Sequence, residues 1–162
     1  VHAGTPGLLI GAGGAAGTTY PVEASLAVQG SSGWTVHPLD VEPGHDGGLY
    51  LVDTATGPLA VVSAAAGGVV AVGGDAAVEV AGHGVAVGAF SVEADEIVVA
   101  VSAKGTVETF SVAVRAGRPS NSRRSDPLAQ GWSRGDVHAV AVTGANAHVL
   151  GSPAAGYRLV TH

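Results

Sequence analysis

Short valine-rich runs recur along most of this chain, and a glycine-containing turn separates nearly every neighbouring pair. In the first run the apolar residues Val22, Leu26 and Val28 alternate with Glu23 and Gln29, which is the period of a strand with one buried face. Connections this short join antiparallel neighbours, because a parallel crossover needs a dozen or more residues. The pattern predicts about eleven or twelve short strands. After the first run at 22–28, the others lie at 34–41, 49–53, 59–64, 69–72, 77–81, 85–92, 96–102, 107–115, 137–143, 147–150 and 157–161.

A chain of 162 residues has the length of one domain. So many strands exceed what a small open sheet holds, and they predict an all-β fold, either an antiparallel β-sandwich or a jelly-roll-like barrel. A β-solenoid would need a fixed repeat period, whereas the spacing of the valine and glycine pairs between Val61 and Val87 drifts. Successive hairpins are therefore favoured.

Two segments interrupt the strand pattern. Residues 1–20 are rich in glycine and alanine and carry no charged side chain, which predicts an extended N-terminal arm on a single β domain at 21–162. Residues 117–135 are rich in arginine, serine and proline, which predicts a long, polar, basic loop. Long loops in compact domains are usually functional or mobile.

Charged residues make up 12% of the chain and apolar residues 46%. The charged share is about half of the usual value. A monomer of this mass exposes about 7,300 Å², so charged residues average about one per 360 Å² of surface. The composition therefore predicts a surface poor in charge that other subunits cover.

The charge is also uneven along the chain. Residues 1–114 sum to −10, and residues 115–162 sum to +4. Arg118, Arg123 and Arg124 either keep a loop soluble or meet the acidic face of another copy or of a partner protein. Nucleic-acid binding is not expected, because the chain is acidic and no aromatic residues alternate with its arginines.

No motif predicts an enzyme, a metal site or a cofactor. The absence of cysteine excludes disulfides and thiolate chemistry, and the seven histidines lack the paired spacing of a zinc site. Gly30-Ser31-Ser32-Gly33 lacks the spacing of a nucleophile elbow. The glycines after Ile10 resemble a dinucleotide-binding turn, but Pro21 follows before a helix could form.

Neither a membrane span nor a secretory signal is predicted. The uncharged window at 54–74 is interrupted by Pro58 and several glycines, and no basic residues anchor it. No lysine or arginine precedes the apolar residues near the N-terminus.

The uncharged arm at 8–20, the valine-rich strand series and the absence of a signal, cysteine and methionine form one architecture. This architecture resembles the accessory proteins of tailed-bacteriophage virions, especially head-decoration proteins. The resemblance implies a structural protein, made in the host cytoplasm and located in the virion, that binds between shell subunits without cofactor or catalysis. Its implied partners are the major capsid protein or other virion subunits, and its implied state is a homo-oligomer such as a trimer.

The residues predicted to contact partners belong to the arm and to the basic segment. They are Leu8, Leu9, Ile10, Tyr20, Arg118, Arg123, Arg124, Trp132 and Arg134. The alternative function is a receptor- or glycan-binding module of a phage tail or fibre, in which Trp132 begins an aromatic platform. Trp34, Tyr50 and Tyr157 alternate into strands and are expected in the core or at a sheet edge.

Overall fold

The computed structural model describes residues 7–13, 21–44, 48–130, 137–143, 146–151 and 158–161. These residues form antiparallel strands and, within the described ranges, no helix. The strands are β1 (Gly7–Gly13), β2 (Pro21–Gly30), β3 (Gly33–Pro38), β4 (Leu49–Thr54), β5 (Gly57–Ser63), β6 (Val69–Gly73), β7 (Ala76–Ala81), β8 (Val85–Glu93), β9 (Glu96–Ala103), β10 (Thr106–Arg115), β11 (Arg118–Gln130), β12 (Val137–Thr143), β13 (Asn146–Gly151) and β14 (Arg158–Thr161).

The strands form four sheets in which spatial order follows chain order. Sheet I contains β1 to β3, sheet II β4 to β7, sheet III β8 to β11 and sheet IV β12 to β14. Each predicted valine-rich run overlaps one of these strands. The predicted all-β, antiparallel, sandwich-like fold built from successive hairpins is confirmed.

The main core lies between sheets II and III, which pack face to face. Leu59, Val61 and Val69 of sheet II contact a cluster that includes Ile97 and Val112 of sheet III, and all five are fully buried. Alternation along each strand sends these side chains to one face. Removing their apolar surface from water is the main force that holds the two sheets together.

Sheet I covers the opposite face of sheet II. Along β5, Leu59 and Val61 face sheet III, while Ala60 and Val62 form a second cluster with Leu26 of β2. Every residue of β5 is therefore buried. This double burial explains why β5 is apolar at successive positions where a half-exposed strand would alternate.

Two serine hydroxyls bridge sheets II and III, one on each side of the sandwich. Ser63 Oγ at the end of β5 accepts a hydrogen bond of 2.9 Å from the Ala86 amide of β8. On the other side, Ser122 Oγ of β11 donates to the Val80 carbonyl oxygen of β7 at 3.2 Å. Sheet IV contacts sheet III, where Val140 lies against Gly88. The edges of sheets II and III are thus partly satisfied within the chain.

The prediction of a polar loop over 117–135 is wrong for residues 118–130, which form β11 against β10. Pro119 lies opposite Val114 and Pro127 opposite Glu108, and each pair adjoins a shift in register. Edge strands tolerate proline at such bulges and tolerate polar side chains that face water. Residues 131–135 of the predicted loop lie outside the described part of the chain.

The predicted N-terminal arm is described only at residues 7–13. These residues are extended, as expected, but they pair with β2 of the same chain, with Leu9 opposite Leu26. This part of the arm is therefore an edge strand of sheet I. The other residues of 1–20 lie outside the described ranges.

Candidate functional site

The hairpin of β2 and β3 is the most exposed apolar feature among the described residues. A two-residue turn, Ser31-Ser32, joins Gly30 to Gly33, and Gly33 has a φ of 123° that favours glycine. From Gly33 to Pro38 every residue is exposed except His37, which is half-buried. Only β2 contacts β3 extensively among the described strands, so β3 extends past the cover of sheet II.

Alternate residues of β3 have amide and carbonyl groups that point away from β2, in the plane of sheet I. The Leu39 amide donates to the Ala24 carbonyl oxygen at 2.8 Å, just beyond the end of β3. Hydrogen-bonded and non-hydrogen-bonded pairs alternate along an antiparallel ladder, so Thr35 also bonds toward β2. The amide and carbonyl groups of Trp34 and Val36 therefore point to the free edge.

Two large apolar side chains of β3 lie on the face of sheet I that points away from sheet II. Trp34 is 52% exposed and Val36 is 53% exposed. Gln29 is opposite Trp34 in the register with β2, and opposite residues share a face. We call Gln29, Trp34 and Val36 the outer hairpin face.

The hairpin has no formal charge. No Asp, Glu, Lys or Arg occurs from Ala24 to Leu39, although Glu23 and Asp40 flank this stretch. An uncharged apolar surface of this kind costs little to desolvate when another surface covers it. The hairpin can therefore bind by area and backbone hydrogen bonds, without ion pairs.

The residues predicted as partner contacts in the arm are only partly described. Leu8, Leu9 and Ile10 lie on β1, where they pair with Ala27, Leu26 and Ser25 of β2. They thus belong to the same sheet as β3, at its opposite edge. Tyr20, Trp132 and Arg134 lie outside the described residues.

Two of the three predicted contact arginines on β11 form ion pairs within the chain. Arg118 Nε lies 2.9 Å from Asp75 Oδ1, with both side chains mostly exposed. Arg124 Nη2 lies 2.6 Å from Glu108 Oε1, whose side chain is only 14% exposed. Arg123 is exposed on the same strand. The structure therefore gives Arg118 and Arg124 acidic partners inside the molecule.

Side chains that could carry metal or acid–base chemistry are scattered. The described residues contain no group of three or more His, Asp or Glu side chains placed to bind a metal ion. No helix able to cross a membrane occurs in the part of the chain that the structure describes.

Comparisons of the chain with models of protein families, with curated proteins and with solved structures find no match.

Sequence reasoning expected Trp34 in the core or at an edge, and it did not identify β3 as a binding surface. A signal was present in the sequence, because the hairpin is free of charge over its full length. The exposure of β3 was not visible there. It depends on where sheet II ends beneath sheet I, and this is set by residues far apart in the chain.

Proposed function

We propose that this chain is a structural, non-catalytic protein that decorates the head of a bacteriophage, and that its outer hairpin face docks on shell subunits. The observation that carries the proposal is the exposure of Trp34 and Val36 side by side on an uncharged, projecting hairpin. Tryptophan is enriched among the residues that dominate binding energy in protein interfaces. Apolar side chains at the centre of such a patch, with charge kept outside it, are typical of interface cores.

The fold supports this proposal in a second way. Sheets II and III form the central sandwich, bridged by the hydrogen bonds of Ser63 and Ser122, and sheet I lies outside it on sheet II. The β1 strand of the same sheet contains the predicted contact residues Leu8, Leu9 and Ile10. By register Leu9 lies opposite Leu26, which packs against sheet II, so a docking surface on the outer side of sheet I would include the positions of Leu8 and Ile10 and not that of Leu9.

Binding to undecorated shells tests the proposal. Shells assembled from the head protein of the same phage would be mixed with the full chain and sedimented, and bound copies per shell subunit measured. We expect saturable binding that Trp34→Asp weakens by about tenfold or more, because it places a charge at the centre of the contact. Leu150→Asp is the matched control, since Leu150 is a 40% exposed leucine on sheet IV.

The proposal fails if the shells bind no protein, or if Trp34→Asp and Leu150→Asp bind equally well.

The second candidate function is a glycan-binding module of a tail or fibre. The half-exposed ring of Trp34 favours it, because an aromatic ring at a surface offers an apolar face to a ligand. Glycan-array binding that is lost in Trp34→Asp, without binding to shells, would establish this second function.

A further inference from the structure

No strand that the structure describes pairs with the outer edge of β3, and this edge lacks the protection that sheet edges usually have. Natural edge strands are blunted by charged side chains, by bulges or by proline within the strand. β3 contains none of the four charged residue types, its register with β2 has no shift, and its proline is the last residue. An unprotected edge of this kind is a template for adding another strand.

We infer that β3 pairs in antiparallel fashion with β3 of a second copy of this chain, about a two-fold axis at Thr35. In this arrangement Trp34 lies opposite Val36 of the second copy, and Val36 lies opposite its Trp34. Both residues direct their amide and carbonyl groups to the free edge. Every one of these groups then finds a partner across the axis.

Other symmetric registers leave an outward group of Trp34 or Val36 without a regular strand partner. An axis at Val36 places Trp34 opposite Pro38, which has no amide hydrogen to donate, so the Trp34 carbonyl oxygen is left without a partner. An axis at Trp34 places Val36 opposite Ser32, which lies in the turn of the hairpin. The backbone therefore favours the axis at Thr35.

The side chains are self-complementary in the same register. Trp34 and Val36 of different copies are directly opposite on the outer face, and pairs of an aromatic with a β-branched residue stabilise antiparallel sheets. Each of the two side chains is about half exposed in the single chain, so each has surface left to cover. His37 falls opposite Gly33, which has no side chain to collide with it.

Charge favours a second copy over an acidic or basic partner. The chain has a net charge of −6, so two copies repel each other through most of their surfaces. Between Ala24 and Leu39 there is no formal charge, and here two copies can meet without acid facing acid. A strongly charged partner would find no counter-charge on this hairpin.

Pairing through β3 goes beyond the proposed docking on a shell. It joins two three-stranded sheets into one continuous six-stranded sheet with both outer hairpin faces on the same side. It is tested in solution without shells, so its failure would leave the docking proposal standing. A pair of short strands buries less than the ~1,200 Å² of a standard interface, so the dimer should form at high protein concentration.

Single-cysteine variants test the pairing and its register, because the chain contains no cysteine. At the axis, two Thr35→Cys residues form a non-hydrogen-bonded pair with Cα atoms about 4.5 Å apart, within the range of a disulfide. Two Val36→Cys residues are offset along the strands by about 7 Å and fall outside that range. Oxidised glutathione should therefore crosslink Thr35→Cys several-fold more than Val36→Cys.

The crosslinked fraction is read on a non-reducing gel of the full-length protein. Absence of crosslinking in Thr35→Cys, or equal crosslinking in Val36→Cys, overturns the inference. Preferential crosslinking of Val36→Cys overturns the axis at Thr35 and with it the proposed pairing.

Sedimentation equilibrium gives a second readout. The wild-type mass should rise from 15.7 kDa towards twice that value as concentration increases. Val36→Pro should stay monomeric, because it removes an amide hydrogen that faces the free edge and none that bonds to β2. Val36→Thr keeps that amide and should still associate.

A wild type that remains monomeric up to about millimolar concentration overturns the inference, as does association of Val36→Pro equal to that of the wild type. If Val36→Pro does not fold, as judged by circular dichroism, the cysteine pair decides.

Discussion

The turns β9–β10 and β10–β11 have the same backbone conformation but different surroundings. Lys104 and Gly105 have φ values of 49° and 74°, and Ala116 and Gly117 have values of 52° and 73°. Positive φ at both central residues is the pattern of a type I′ hairpin turn. A Cβ at Gly105 would meet nothing within 4 Å, whereas one at Gly117 would lie 2.9 Å from the Thr56 carbonyl oxygen.

These two glycines form a matched pair for mutation. Gly105→Ala should lower the free energy of unfolding by about 1 kcal/mol, the cost of left-handed backbone for a residue with a Cβ. Gly117→Ala should lower it by about 2–4 kcal/mol, because overpacking against Thr56 adds to the same strain. Urea denaturation measures both values. Equal losses would show that the close approach of Gly117 to Thr56 does not constrain the fold.

The first central residue of the β9–β10 turn offers a stabilising change. Lys104 occupies a left-handed conformation that asparagine adopts more readily. Lys104→Asn should raise the free energy of unfolding by about 0.5–1 kcal/mol. Lys104→Ala removes the same charge but keeps the backbone strain, so it should give no comparable gain in the same denaturation experiment.

At the scale of elements, the serine contacts between strands hold neighbouring sheets in place. Ser63 is 2% exposed and Ala86 is 1% exposed, so their hydrogen bond is fully buried. Ser63→Ala should lower the free energy of unfolding by about 1–3 kcal/mol, because the Ala86 amide is left buried without a partner. Ser120→Ala, at an exposed hydrogen bond of 3.3 Å, is the control and should cost less than about 0.5 kcal/mol. A loss in Ser63→Ala no larger than in the control would contradict this role.

Elements differ in how far sequence could predict them. Most strands could be predicted because alternation and turn glycines are local signals, and these are strong from β4 to β10. β11 could not, because its arginines and prolines have the composition of a loop. Its extended form depends on pairing with β10, a tertiary contact that overrides local preference. β3 was predicted as a strand, but its exposure followed only from the packing of sheets I and II.

At the scale of the whole molecule, two of the arginines that the structure describes are paired with acidic residues of the same chain. Arg118 and Arg124 are bonded to Asp75 and Glu108, and the fully buried valines lie in the core. Small residues such as Ala55, together with polar residues, occupy much of the described surface where charged residues would be expected. The surface is therefore poor in charge, while its large exposed apolar side chains are few and include the pair on β3.

The salt dependence of self-association distinguishes the two interfaces that the sequence and the structure suggest. The dissociation constant of a dimer paired through the uncharged β3 edge should change by less than about threefold between about 0.05 and 0.5 M NaCl. Salt screens the repulsion between two copies of net charge −6, so any change should favour the dimer. An interface between the basic strand β11 and acidic residues of another copy would instead weaken steeply. Sedimentation equilibrium across the salt series measures the difference.

The sequence by itself determined that this chain is an all-β protein of short antiparallel strands, because side-chain alternation and turn-forming glycines act on neighbouring residues. It also determined that one hairpin and the N-terminal segment carry no charge. Only the tertiary structure decided which edges of the described strands are bridged to another sheet and which have no described partner. Ser63 and Ala86, like Ser122 and Val80, are distant in sequence and meet only because sheets II and III pack together. The exposure of Trp34 and Val36 is a product of the same packing.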